Sequence, residues 1–218
     1  MGRRTFPFLN SSSSHHNLTS NCFGSEIMQT LELEPRLTAL VLIDLQHSTV
    51  ARQLAPHTST DVLENAALLA NALRAKGGTV IFVRVNIDEI LRLPVDEPFV
   101  RGSGPVPPDA SELVPEAGVQ PADLVITKRQ WGAFYGTELD QQLRRRNIRT
   151  IILGGIATNF GVESTARAAF DRGYQLIFAE DAMASVSAEA HQFSVRTIFP
   201  RMGRVRTTEQ IKTALQSS

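Results

Sequence analysis

Cysteine is almost absent from this chain of 218 residues, and neither sign of charge predominates. The single cysteine, Cys22, excludes an internal disulfide framework and a cysteine-based zinc site. Basic and acidic residues both number 22, which argues against a nucleic-acid binder with a broad basic surface. No apolar run approaches the roughly 20 residues that a membrane span needs. Because 42% of the residues are hydrophobic, we expect a globular protein with a sizeable core. Together, these features predict a soluble, cytoplasmic protein.

The first 27 residues have too little apolar content to join that core. Their polar stretch includes Ser11 to Ser14 and His15-His16, and Arg3-Arg4 lacks the apolar segment that an export signal needs. We expect residues 1–27 to be a disordered extension, or the product of a mis-assigned start that precedes Met28. The folded domain would then span residues 28–218.

Strand-like and helix-like segments alternate through the rest of the chain. The segments predicted as strands are 38–45, 79–85, 123–127, 149–153, 174–179 and a short edge strand at 204–206. Between them, apolar residues recur at helical spacing, as at Val62, Ala66, Leu69 and Leu73. This alternation predicts a single α/β domain with a doubly wound parallel sheet and helices on both faces.

One long connection, 87–121, interrupts the alternation and holds seven of the 11 prolines. A connection of this length inside a compact domain is either functional or disordered, and we favour a lid over a site.

Polar side chains stand where the predicted strands end. Ligands of open α/β sheets bind beyond the carboxyl ends of the strands, so Asp44, Arg84 and Lys128 are candidates. The glycine-containing segment 154–161 follows the fourth strand and reaches the same edge. Asp44 follows a largely apolar run and would be costly to bury unpaired, and Lys128 could pair with it. Either a catalytic pair or a structural ion pair fits this pattern.

These residues resemble the isochorismatase-like (cysteine hydrolase) superfamily over about 38–200. The resemblance lies in Leu42-Ile43-Asp44-Leu45-Gln46, Lys128, Gly155-Ile156-Ala157-Thr158-Asn159 and Val162-Glu163-Ser164-Thr165-Ala166. It implies a Rossmann-like six-stranded sheet of order 3-2-1-4-5-6 and a homo-oligomeric hydrolase that needs no cofactor. It also implies a site made of an Asp, a Lys and, in most members, a Cys nucleophile, with a cis peptide between Ile156 and Ala157.

The position that the resemblance assigns to the cysteine is Gly161. A glycine cannot attack a carbonyl, so the thioester route of the family's amidohydrolases is closed here. The resemblance to isochorismatases, which hydrolyse a vinyl ether without a covalent intermediate, makes Asp44 the general acid/base and Lys128 its electrostatic partner. The backbone around Ile156, Ala157 and Asn159 would then contribute to substrate binding at a helix N-terminus.

Two further groups of residues bear on the site. Trp131 and Tyr135 follow Lys128 closely, and they fit a pocket wall and a subunit contact equally well. No metal is expected, because the Asp-x-His spacing of the zinc-binding relatives is missing after Asp44. His191 is interpreted as a surface or capping residue.

Two functions remain after this comparison. One is a hydrolase of a small metabolite that forms no thioester intermediate, and the other is a catalytically silent member that binds a small molecule. A dinucleotide binder is disfavoured because no Gly-x-Gly-x-x-Gly follows the first strand.

Overall fold

The computed structural model describes residues 31–98 and 105–217. The predicted extension, 1–27, lies outside these residues, as does Cys22. Within them, the central feature is a six-stranded parallel sheet of order β3-β2-β1-β4-β5-β6. Its strands are β1 Thr38–Ile43, β2 Thr79–Val85, β3 Leu124–Lys128, β4 Thr150–Ile156, β5 Gln175–Ala184 and β6 Gly203–Arg206. The predicted fold class, including the strand order, is confirmed.

Helices cover both faces of the sheet. They are α1 His47–Val50, α2 Ser59–Ala75, α3 Leu139–Arg145, α4 Glu163–Asp171, α5 Ala188–Phe193 and α6 Thr208–Gln216. Apolar residues of α2 and α6 pack with Leu40 and Leu42 on one face, whereas those of α3 and α4 pack with Val41 and Ile43 on the other. β1 is buried along its whole length, as its unbroken apolar run predicts. No helix in the described part of the chain is long and apolar enough to cross a membrane.

β4 runs three residues beyond its predicted end, through two glycines. A Cβ at Gly155, whose φ is 112°, would lie 2.1 Å from the Ile43 carbonyl oxygen. A Cβ at Gly154 would lie 2.9 Å from the carbonyl oxygen of Ala182. The glycines therefore let β4 pass close to its two neighbouring strands. The sequence pattern predicted that the strand ends before Gly154, and this boundary was wrong.

The described part of the proline-rich connection packs against the chain that follows β1. The backbone N–H of Val114 donates to the Leu45 carbonyl oxygen at 3.1 Å. The buried Gln46 amide donates to the carbonyl oxygens of Val85 and Ala110, each at 3.1 Å, and accepts from the Val85 N–H at 2.7 Å. Gln46 thus fixes this connection to the carboxyl edge of the sheet, where the candidate site lies. A lid function remains a prediction.

Candidate active site

Asp44, Lys128 and Gly161 lie together at the carboxyl edge of the sheet. Asp44 directly follows the central strand β1, and Lys128 ends β3, two strands away. Gly161 follows β4, the neighbour of β1 on its other side. The strand order reverses between β1 and β4, and crevices at such a reversal are where open α/β sheets bind ligands.

Asp44 is held in an unusual backbone conformation. Its φ is 52°, in the left-handed region that few non-glycine residues occupy. Its N–H donates to the Val83 carbonyl oxygen at 2.7 Å, and its carbonyl oxygen accepts from the Thr49 hydroxyl. Strained backbone of this kind persists where neighbouring bonds enforce it, often at functional sites. Here the bonds fix the direction of the Asp44 side chain.

The Asp44 carboxyl and the Lys128 ammonium form a buried ion pair. Asp44 Oδ2 is 2.8 Å from Lys128 Nζ, and their side chains are 9% and 1% exposed. The other carboxyl oxygen, Oδ1, is buried without a hydrogen-bond partner among the described residues. Burial raises the pKa of Asp44 to about 6, although Lys128 opposes this shift. The Asp44 carboxyl can therefore gain and lose a proton near neutral pH.

The Lys128 ammonium is also fixed by the turn that follows β3. It donates to the Trp131 carbonyl oxygen at 2.7 Å, and the Trp131 ring packs edge-on against Phe160 at 4.9 Å. Phe160 precedes Gly161 in a π-helical turn, Thr158–Val162, that leads into α4. The turns after β3 and β4 thus support one another around the ion pair.

Gly161 faces the ion pair directly. A Cβ at this residue would lie 2.9 Å from Lys128 Nζ and 3.3 Å from Asp44 Oδ2. It would also lie 2.9 Å from Ile43 Cγ2, so a side chain fits only if its neighbours move. The φ of Gly161 is not in the left-handed region, so lack of space, not backbone conformation, favours glycine here. The expected cis peptide between Ile156 and Ala157 is present at the end of β4, directly before the π-helical turn.

The remaining residues that we predicted to bind substrate have contacts of their own. Arg84 pairs with Glu112 of the proline-rich connection. Trp131 and Tyr135 are 53% and 79% exposed. Asn159 accepts a hydrogen bond from the Ser185 hydroxyl at 2.5 Å. Their roles toward a substrate stay predictions.

Asn159 also contributes to a separate cleft of about 480 Å³ beside α5, whose lining includes neither Asp44 nor Lys128.

The interpretation of His191 as a surface residue is wrong. It is fully buried in α5, and its Nδ1 lies 2.8 Å from the hydroxyl oxygen of Thr158. Burial lowers the pKa of His191 to about 4, and His57 adds to this shift. Thr158 and His191 meet only through the tertiary fold, so no local sequence signal indicated the contact. The buried Gln46 was also missed as a positioning residue, although its place directly after β1 was a usable signal.

The Asp44 site itself is a poor match for a metal ion. The Lys128 ammonium holds one carboxyl oxygen of Asp44, and a cation there would be repelled by it. No second acid or histidine of the described chain forms a potential ligand group with Asp44.

Comparison with known proteins identifies the family of this chain. The isochorismatase domain family matches residues 38–210. The chain belongs to the isochorismatase family. An uncharacterized isochorismatase family protein of Bacillus subtilis, YwoC, is 51% identical over 187 residues, which cover 84% of this chain and 97% of that protein.

Two solved structures are also similar. An isochorismatase family protein from Burkholderia thailandensis is 43% identical, with a TM-score of 0.79 over 85% of this chain and 98% of that one. A cysteine hydrolase from Pseudomonas syringae is 26% identical, with a TM-score of 0.69 over 86% of this chain and 96% of that one. The chain therefore has the fold of the isochorismatase-family hydrolases.

Proposed function

We propose that this protein hydrolyses a small metabolite without a thioester intermediate, with Asp44 transferring the proton and Lys128 balancing its charge. The observation that carries the proposal is the position of Gly161. A Cβ added at this residue would contact both Asp44 and Lys128. A nucleophile attached at this residue would be ideally placed, and the chain has none there.

No other nucleophile replaces it within the described residues. No side-chain hydroxyl there hydrogen-bonds to the Asp44 carboxyl or to the Lys128 ammonium. The nearby hydroxyl of Thr165 donates instead to the Gly161 carbonyl oxygen at 2.7 Å. The Thr158 hydroxyl is hydrogen-bonded to Nδ1 of His191. These contacts favour direct attack by water over a covalent route.

The pair suits acid-catalysed hydrolysis of an enol ether. The Asp44 proton would be held on Oδ1, the oxygen without a partner, and transferred to the terminal carbon of the substrate's double bond. The double-bond electrons form the new C–H bond and leave an oxocarbenium ion, to which water adds. One water proton returns to Asp44, and the other moves to the departing alcohol as the C–O bond breaks and a ketone forms. Lys128 stabilises the Asp44 carboxylate between these two transfers.

The test is a substrate screen combined with protein mass spectrometry. Wild-type protein is incubated with small vinyl ethers, isochorismate among them, and with amides and carbamoyl compounds. We expect turnover of a vinyl ether, with acid-quenched protein that retains its unmodified mass. Asp44→Asn should lower this turnover by roughly two to four powers of ten, whereas Asp123→Asn, which alters a buried carboxylate elsewhere, should leave it nearly unchanged.

Two other outcomes would contradict the proposal. An acyl adduct on the protein during turnover of an amide would show that a nucleophile operates. Ligand-induced thermal stabilisation without turnover of any compound would instead favour the catalytically silent member of the family.

A further inference from the structure

A second cluster of polar side chains lies outside the candidate active site. His57, Glu180 and His191 each present one potential metal-ligating atom, and these atoms all lie within 4.8 Å of one another. His57 precedes α2, Glu180 belongs to β5, and His191 belongs to α5. Two backbone hydrogen bonds between Ala55 and Ser185, of 2.7 and 2.9 Å, join the segment before His57 to the end of β5.

The buried ring of His191 has one nitrogen without a hydrogen-bond partner in the described part of the chain. The residue is fully buried, and Nε2 has no hydrogen-bond partner within the described chain. The other nitrogen, Nδ1, lies 2.8 Å from the Thr158 hydroxyl oxygen. If Nδ1–H donates to Thr158, the lone pair of Nε2 is free. Metal-binding histidines are held in this way, with the second ring nitrogen donating to a neighbouring oxygen.

Glu180 supplies the negative charge that such a site requires. Its side chain forms no hydrogen bond or ion pair within residues 31–98 and 105–217. The ring of His57 meets that of His191 edge-on at 5.7 Å between centroids. Three side chains from three separate segments therefore converge without satisfying one another.

We propose that His57, Glu180 and His191 bind a divalent first-row transition metal ion such as Zn²⁺. Two imidazoles and one carboxylate are a donor set that zinc accepts, and they leave a fourth position for water. Zinc ligands lie about 2.1 Å from the metal and hence roughly 3.4 Å from one another. Because His57 and Glu180 are only half-buried, their side chains can close the remaining distance.

The bound ion would connect three parts of the fold near the active site. It would link α5, β5 and the segment before α2. Through His191 and Thr158 it would also support the π-helical turn that places Gly161 against the ion pair. The ion would be bound outside the proposed catalytic pair, since the ligand group includes neither Asp44 nor Lys128.

Zinc titration of the full-length chain tests the proposal. The chain has five histidines, and His15 and His16 would also bind zinc, so His15→Gln/His16→Gln serves as the reference protein. We expect calorimetry to show one Zn²⁺ bound per reference chain. At a free zinc concentration about 100 times the Kd, Tm should rise by roughly 5–10 °C.

Three substitutions in the reference protein locate the ion. His57→Gln and Glu180→Gln should each weaken zinc binding by roughly 100-fold or more, because loss of a supporting residue alone costs about 10–100-fold. The matched control is His47→Gln, a half-exposed histidine outside the cluster, which should bind zinc as the reference does. Circular dichroism of the metal-free proteins verifies that each is folded, and each half-buried position decides the question independently.

Absence of stoichiometric zinc binding in the reference protein would overturn the proposal. So would binding that persists at reference strength in a folded His57→Gln or Glu180→Gln variant.

Discussion

The two ends of β3 adjoin two buried ion pairs that differ in how fully each carboxylate is bonded. At the amino end, Asp123 pairs with Arg74, which reaches Oδ1 at 3.0 Å and Oδ2 at 2.5 Å. The Gln120 N–H adds a third hydrogen bond at 2.7 Å. At the carboxyl end, Lys128 reaches only Oδ2 of Asp44, and Oδ1 has no partner within the described chain.

Under the proposed function, this difference distinguishes a structural pair, Arg74 and Asp123, from a reactive one, Lys128 and Asp44. The planar fork of the Arg74 guanidinium suits a carboxylate that it meets at both oxygens, so Asp123 has its hydrogen-bonding capacity taken up by structural contacts. Asp44 Oδ1 is buried without a partner among the described residues, and under the proposed function it is the oxygen that carries the proton. Similar burial therefore accompanies two different kinds of site: the side chains of Asp123 and Asp44 are 3% and 9% exposed.

Removing the carboxylates separates the two pairs most strongly. Asp44→Asn should lower kcat/KM by roughly two to four powers of ten, because it deletes the group that transfers the proton. Asp123→Asn should leave kcat/KM nearly unchanged and lower the free energy of unfolding by about 1–3 kcal/mol, since it weakens hydrogen bonds to a charged group. Steady-state kinetics and urea unfolding of both variants measure these effects. Equal loss of activity in the two variants would remove the distinction.

Removing the cation of the reactive pair should affect stability in a pH-dependent way. At pH 8, Lys128→Met removes the charge that lowers the pKa of Asp44, so the variant must either bury an unpaired carboxylate or protonate it, and the free energy of unfolding should fall by about 3 kcal/mol. At pH 5 the loss should be smaller, because the pKa of Asp44 in the wild type is about 6 and little of the ion pair is then left to lose. Urea unfolding at the two pH values measures the difference. When Lys128→Met is added to Asp44→Asn, the loss in free energy of unfolding should be the same at pH 5 and pH 8. A loss that still depends on pH would show that a group other than Asp44 is responsible.

Introducing a thiol at Gly161 should produce a smaller effect. In a Cys22→Ser background, Gly161→Cys places the thiol beside the Lys128 ammonium, which lowers the pKa of a cysteine. Alkylation at pH 7 should be roughly tenfold faster than for Ala168→Cys, a control in α4, and Lys128→Met should slow it. The new Cβ requires both the Lys128 ammonium and the Ile43 Cγ2 methyl group to move, so circular dichroism must first verify that the variant is folded. A folded Gly161→Cys protein that reacts slowly, regardless of Lys128, would show that Gly161 is not at the family's nucleophile position.

The fold was predictable because its signals are local. The apolar run of β1 and the helical spacing in α2 identify their elements from neighbouring residues alone, and the family motifs then fix the strand order. The boundaries of β4 were not predictable from the same signals. Gly154 and Gly155 favour a turn locally, and only their contacts with the adjacent strands show why they belong to a strand.

The candidate site was predictable where residues end strands. Asp44 and Lys128 were identified from their positions after apolar runs, and the register of the sheet explains why they meet. The contact between Thr158 and His191 was not predictable, because it joins segments that only the tertiary fold brings together. That Asp44 Oδ1 has no partner among residues 31–98 and 105–217 is likewise a property of packing, which no sequence pattern shows.

The pH dependence of kcat/KM tests most directly whether Asp44 acts as a proton donor. The measurement uses a substrate found in the screen, with wild-type protein and Asp44→Asn assayed from pH 4.5 to 8.5, a range of roughly two units on either side of the pKa. Because a general acid must carry its proton in the free enzyme, kcat/KM of the wild type should fall about tenfold per pH unit above pH 6, and this limb should be absent from Asp44→Asn. A limb that falls below pH 6 instead, or a profile that Asp44→Asn leaves unchanged, would contradict the account.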